Sequence, residues 1–178
     1  MSLCLIVVDM QIGFLNDKTK HIVSNVRRLA KAACTRSTAI AFTRFINRPE
    51  SGYVKWIHWS RFMEKPEIDV IPQLVQYAKN VFDKHGYTAF TEDFERFLTE
   101  YAVDQVVICG VATDGCVLKT AVDAFERGIE PIVVHDACAS HADKSVHEAG
   151  KLLLRRFIGK GQLQTVEQVL RRVEFAGD

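Results

Sequence analysis

The chain has 178 residues, 48% of them hydrophobic and 25% charged. That composition excludes a disordered chain, a coiled coil and a small disulfide scaffold. Lys plus Arg number 23 and Asp plus Glu 22, a net charge of +1, so no charge surplus draws the protein to nucleic acid or to an anionic membrane.

Apolar runs alternate with segments of helical period along the chain, the pattern of an α/β protein. Leu3 to Val8 reads as a buried strand ending at Asp9. Ile22, Val26, Leu29, Ala30 and Ala33 share one helical face. Thr38 to Thr43 is a second strand. Asn47 to Pro66, with two prolines and five aromatic rings when His58 is included, breaks the rhythm and is read as an irregular excursion holding one short helix. Ile68 to Ala78 is predicted helical, and Asn80 to Asp83 a short strand. Thr91 caps a helix whose buried stripe is Phe94, Phe97, Leu98 and Tyr101. Gln105 to Cys109 is the most apolar strand. Thr113 is predicted to cap a helix facing the sheet through Leu118, Ala121, Val122 and Phe125, stopped by Gly128. Glu130 to His135 is the fifth strand. Ser140 to Asp143 resembles a capping box before a helix whose face is Val146, Ala149, Leu153 and Phe157. Gln162 to Gln164 forms a last strand. Thr165 to Gln168 is a second capping box, ahead of Val169, Leu170 and Val173.

The expected architecture is one domain over residues 1–178, a three-layer α/β/α sandwich around a six-stranded, mainly parallel sheet. Strands buried on both faces read as continuous apolar runs, and these do. No apolar run reaches the length of a membrane span, and Met1-Ser2-Leu3-Cys4 lacks the basic start of a signal peptide. Five cysteines at irregular spacings, with no Cys-x-x-Cys, read as reduced thiols. A cytoplasmic location is the expectation.

In such sheets ligands sit beyond the carboxyl ends of the strands. Asp9 ends the first strand there, Lys84 follows the third, and the turn from Gly110 to Cys116 follows the fourth. An acid, an amine and a thiol should therefore meet on one rim. With Thr113 as cap, Cys116 is expected in a first helical turn, where free N–H groups and the macrodipole lower a thiol pKa. Asp9 reads equally as a general base or a helix cap, and Lys84 alone as a solvated charge. Cys4 and Cys109 are read as core, and Cys138 as a packed residue of the loop after the fifth strand. Gly110-x-x-x-x-Gly115 lacks the Lys-Ser/Thr of a phosphate loop, and no nucleotide-binding motif occurs.

Three segments carry a family resemblance: Val7-Val8-Asp9-Met10-Gln11 with Phe14, Lys84 to Phe90, and Val107 to Val117. In these the chain resembles the isochorismatase-like cysteine hydrolases, the superfamily that includes nicotinamidases and N-carbamoylsarcosine amidases. The resemblance implies a catalytic triad of Asp9, Lys84 and Cys116. It implies a cis peptide between Val111 and Ala112, and an oxyanion hole from the backbone N–H groups of Ala112 and Cys116. Nicotinamidases carry an Asp-x-His metal motif after the second strand; here Thr43-Arg44-Phe45-Ile46-Asn47 stands in that place. No metal and no cofactor are expected.

The expected activity is hydrolysis of a small amide or carbamoyl compound through a thioester acyl-enzyme. The alternatives are a thiol redox protein using Cys116 with Cys138 or Cys109, and a non-catalytic relative that binds a small ligand. Phe14 and Trp59 are candidate pocket residues. Tyr53, Trp56, Trp59 and Phe62 are too many rings for a solvated loop, so they should be covered by the pocket or by a second subunit. A homo-oligomer is expected, with a small molecule as the other partner.

Overall fold

The apolar runs become strands β1 (Leu3–Val8), β2 (Ala39–Phe45), β3 (Val81–Lys84), β4 (Gln105–Val111), β5 (Glu130–Ala139) and β6 (Leu163–Gln164). The periodic segments become helices α1 (Val23–Thr35), α2 (Gly52–Ile57), α3 (Glu92–Glu100), α4 (Leu118–Glu126), α5 (Lys144–Phe157) and α6 (Val166–Phe175). The structure is a computed structural model describing residues 2–36 and 38–175, with side chains up to residue 172. Val173 on the last predicted face lies outside the described side chains.

The sheet runs β3-β2-β1-β4-β5-β6, and every pairing is parallel. The order reverses between β1 and β4. Right-handed crossovers running in opposite directions from that point put helices on both faces. One face carries α1 and α6, which pack on each other; the pair α4 and α5 packs on the other side. β4 is buried at every residue and β1 from Cys4 to Val8. That burial is why both are continuous apolar runs.

The predicted face of α1 is buried throughout, from Ile22 to Ala33. Thr91 caps α3 by accepting a bond from the Phe94 N–H, and Thr165 and Gln168 bond each other's backbone N–H at the start of α6.

Several expectations are corrected. Residues 68–78 are not a helix. Val70 forms a bridge with Gln11, the Ile12 N–H bonds Asp69 O, and the Ile71 N–H bonds Met10 O. The backbone groups a helix would use are spent covering the loop after β1, and Pro72 lacks an N–H for a helical bond. Only a short 3₁₀ turn, Val75–Tyr77, remains. β5 runs on to Ala139, so Cys138 is a strand residue. Ser140 caps nothing: its hydroxyl accepts from the Ala142 N–H, and α5 begins after Asp143 without a side-chain cap.

The buried faces of α4 and α5 are also rotated from the predicted ones. Thr120, Ala121, Asp123 and Ala124 are buried in α4, while Phe125 is exposed. Gly150 and Leu154 are buried in α5, and Val146, Leu153 and Phe157 are exposed. The inner face is built of small residues because the turn preceding α4 lies close beneath α5. A Cβ at Gly150 would come within 2.9 Å of Asp114 backbone atoms. Among the described residues no helix is long and apolar enough to cross a membrane.

Candidate active site

Asp9 leaves β1 in a left-handed conformation, φ 47°, a strained state for a non-glycine residue that neighbouring contacts must hold. Thr43 in β2 supplies them. Its hydroxyl donates to Asp9 Oδ1 at 2.7 Å and accepts from the Asp9 N–H at 3.2 Å. Alongside, Gly110 has φ 116°, and a Cβ there would sit 2.1 Å from Val8 O. Only glycine lets β4 pass β1 so closely. The peptide between Val111 and Ala112 is cis.

The chain then winds through a π-helical turn, Thr113–Val117, whose N-cap is Ala112 without any side-chain cap. Thr113 is therefore not the predicted cap. Its hydroxyl meets His147 Nδ1 on α5 at 2.9 Å. The wide turn places Gly115 N–H and Val117 N–H on the same Ala112 carbonyl and turns Cys116 to the rim.

The rim brings the three predicted groups together. Lys84 Nζ lies 2.8 Å from Asp9 Oδ2 and 3.2 Å from Cys116 Sγ. It also donates to Gly86 O at 2.9 Å. Asp9 and Lys84 are fully buried, which explains why a lysine at the end of a strand is not a solvated charge here. Burial, then the Asp9 charge, push the Cys116 thiol up to about 12 against the pull of Lys84. The expected lowering by a helix N-terminus is overturned, because desolvation of a thiolate outweighs the dipole of one irregular turn. Burial by itself would pull Lys84 down, but Asp9 and then Cys116 hold it above its ordinary value. The resting site is thus an Asp9–Lys84 ion pair beside a protonated thiol.

Burial also raises Cys4 and Cys138 to about 12, and Cys109 well above 9.0. Thiols with raised folded pKa keep protons that the unfolded chain releases. Their contribution is complete below pH about 9 and is lost as pH rises towards about 12. Lys84, also raised, acts in the same direction. Thermal melts should show Tm falling steadily above pH about 9; a flat Tm into strong alkali would contradict protonated buried thiols.

A cavity of about 720 Å³ opens onto Cys116. Its walls include Phe14, Phe45, Tyr53, Trp59 and Tyr87, together with Ala112, Asp114 and Cys116. Phe14 stacks on Phe62 at 4.0 Å and on His141 at 5.3 Å. Trp59 packs on Phe45 and Phe62 at 5.7 and 5.3 Å. The aromatic excursion is therefore largely inside. Phe62 is buried, Trp59 and Tyr53 are partly buried in the wall, and Trp56 alone of the four is left 82% exposed. Burial, with the charges of Cys116 and Asp9 among the lesser causes, raises the Tyr53 hydroxyl pKa, so that group stays a protonated donor.

The isochorismatase domain model matches residues 3–167. The chain belongs to the isochorismatase family. It is 27% identical over 186 residues to the isochorismatase family protein YwoC of Bacillus subtilis, covering 96% of this chain and 93% of that protein. It is 31% identical over 146 residues to the phenazine biosynthesis protein PhzD of Pseudomonas fluorescens, covering 76% and 70%. Among solved structures, a cysteine hydrolase from Pseudomonas syringae pv. phaseolicola superposes with a TM-score of 0.85 at 25% identity, covering 98% of this chain and 93% of that one.

In this isochorismatase-family hydrolase the end of β2 and the residues just after it, Thr43 to Asn47, do not fit a metal. Thr43 is spent on Asp9, and Arg44 forms a two-pronged pair with Asp83. Asn47 donates to Trp59 O and Arg61 O and accepts from the Arg48 N–H and the Ser51 hydroxyl. Among the described residues no group of three His, Cys, Asp or Glu is placed to hold an ion. Sequence reasoning named Tyr53 among the rings to be covered, and missed Thr43, Tyr87, Asp114 and His141. Tyr87 and Asp114 lie inside the segments that carry the resemblance. Thr43 offered one signal, a hydroxyl in an otherwise apolar strand.

Proposed function

We propose that the protein is a cysteine hydrolase that cleaves the C–N bond of a small amide or carbamoyl compound. The observation that carries this reading is the contact of Lys84 with Asp9 at 2.8 Å and with Cys116 at 3.2 Å, the sulfur being the member that lines the cavity. As Cys116 Sγ bonds to the carbonyl carbon, its proton passes to Asp9. The charge moving onto oxygen is held by the N–H groups of Ala112 and Cys116, each such donor contributing about 3 kcal/mol. Collapse breaks the C–N bond, and the amine leaves with the proton from Asp9. Water then cleaves the thioester, giving its proton back through Asp9, and the thiol is restored. Lys84 stays protonated and balances whichever of Asp9 or Cys116 carries the negative charge. No cofactor enters. A screen of small amides and ureides read by ammonia release, with mass spectrometry of the acyl adduct on Cys116, tests the reading; turnover without any adduct on that residue would overturn it.

Because Thr43 to Asn47 are committed elsewhere, activity should survive dialysis against a chelator. Loss of activity that zinc or another divalent ion restores would show that metal assistance is needed.

We also infer a homo-oligomer of at least two copies. Trp56 and Ile57 of α2, Phe125 of α4, and Leu153 and Phe157 of α5 are 42–82% exposed. Ile57 and Phe157 also line the cavity, together with Leu118 and Val122 of α4. Aromatic side chains present roughly 150–250 Å² each. At exposures of 82%, 53% and 50%, Trp56, Phe125 and Phe157 offer about 280–460 Å², a third to a little over half of the roughly 800 Å² per partner of a stable interface. A second copy lying over the face would cover it symmetrically. Light scattering at micromolar concentration should report a dimer or larger, and Phe157→Asp a smaller species; a monomeric wild type would end the inference.

A further inference from the structure

Asp114 lies in the turn that carries Cys116, and it lines the same cavity. Its Oδ1 is buried and has no hydrogen-bond partner. A carboxylate oxygen in that state is costly unless something donates to it. The backbone at this point is fixed from behind by the close approach of Gly150 on α5. The terminal torsion of an aspartate is broad, so the oxygen can turn to a donor entering from the cavity while the turn stays in place.

Among the described residues, Lys119 is the one lysine or arginine that lines the cavity, beside the imidazoles of His58 and His141, and none of the nearby lysines is free to pair with Asp114. Lys84 is held by Asp9 and Cys116. Lys119 pairs with Asp123 in the next turn of α4. His141 and His147 feel the Asp114 charge, but desolvation is the larger effect on each and lowers both pKa values. His147 is also bonded to Thr113. The remaining wall is predominantly aromatic and aliphatic. A substrate carboxylate would meet an unmatched negative charge there, whereas an ammonium would meet a carboxylate and ring faces, both of which attract cations.

We propose that Asp114 is a specificity-determining residue: it recognises a positively charged amine on the substrate, at the end remote from the scissile carbonyl. The substrate class is then an amide with an apolar body and a cationic tail. This rests on the hydrolase reading above, and it is separable from it by experiment.

Three amides of one shape serve as probes: 4-(aminomethyl)benzamide, 4-methylbenzamide and terephthalamate, carrying a positive, a neutral and a negative end. Wild-type kcat/KM should favour the cationic over the anionic compound by roughly tenfold or more. Asp114→Asn should collapse that ratio, and Asp114→Glu, which keeps the charge, should preserve it. Each variant is its own reference, because the ratio is taken within one protein. Calorimetry of the same compounds on Cys116→Ala reads the charge order without chemistry. If the order holds in binding while no amide is cleaved, the hydrolase reading fails and the Asp114 assignment stands. An order absent from the wild type, an order that survives Asp114→Asn, or a cationic compound that does not bind would each overturn the assignment.

Discussion

Cys116→Ala is expected to abolish amide hydrolysis, with a loss of roughly 10⁴-fold or more, and to leave the fold almost untouched. The two halves of that expectation have different causes. The sulfur is the atom that bonds to the substrate carbon, and alanine offers no nucleophile. Its structural role is small: Cys116 lines the cavity, and its polar partners, Asp9 and Lys84, keep each other at 2.8 Å without it. No packed layer loses a methylene, so stability should change by no more than about 1 kcal/mol. Steady-state ammonia release and a thermal melt on the same preparation check both. An alanine variant that still turns over at a tenth of the wild-type rate, say, would remove Cys116 from the chemistry. A variant that is inactive and also strongly destabilised would make the activity loss uninformative, and Cys116→Ser then decides, since it restores the volume of the side chain.

Buried strands and two of the capping motifs were legible in the sequence, whereas the Thr113 and Ser140 caps and the packing of one element on another were not. The strands β1 and β4 are apolar because both of their faces are covered, and that shows in any buried run. The Thr91 cap and the Thr165 to Gln168 box close on themselves within four residues. Residues 68–78 have an apolar spacing compatible with a helix, yet their backbone bonds go to Met10 and Ile12, partners far away in the chain. The face of α5 was misread for the same reason. Val146, Leu153 and Phe157 point outward, and the residues pressed inward are Leu154 and Gly150, the latter at the close approach of Asp114. Local periodicity cannot report a glycine whose neighbour lies in another element. At the site, strand ends located Asp9, Lys84 and Cys116, because a parallel sheet aligns its carboxyl ends on one rim. The cis bond came only with the family resemblance. The thiol pKa was misjudged because burial depth, which raises it, is a property of the assembled fold. Thr43 was missed because its hydroxyl matters only once β2 lies beside β1.

Asp9→Asn should separate chemistry from structure in the opposite way. An amide cannot accept the thiol proton, so turnover should fall by roughly 10² to 10⁴. Here stability should fall too. Lys84 is 1% exposed and Asp9 0%, so the substitution leaves an ammonium buried with no counter-ion. Breaking a buried pair from one side costs about 3–5 kcal/mol. Thr43 limits the damage little, since a neutral amide can still accept its hydroxyl proton but cannot balance the lysine charge. Removing that charge as well is the control. The double variant Asp9→Asn, Lys84→Met should recover much of the lost stability and none of the activity, because the unpaired ion is gone while the base is still missing. Chemical denaturation of the two single variants and the double one gives the coupling between them. If Asp9→Asn is fully active, the triad has no base and the proton must leave by another route. If it is inactive but as stable as the wild type, Lys84 is not charged in the resting site, and the ion pair at 2.8 Å is not what holds these two residues together.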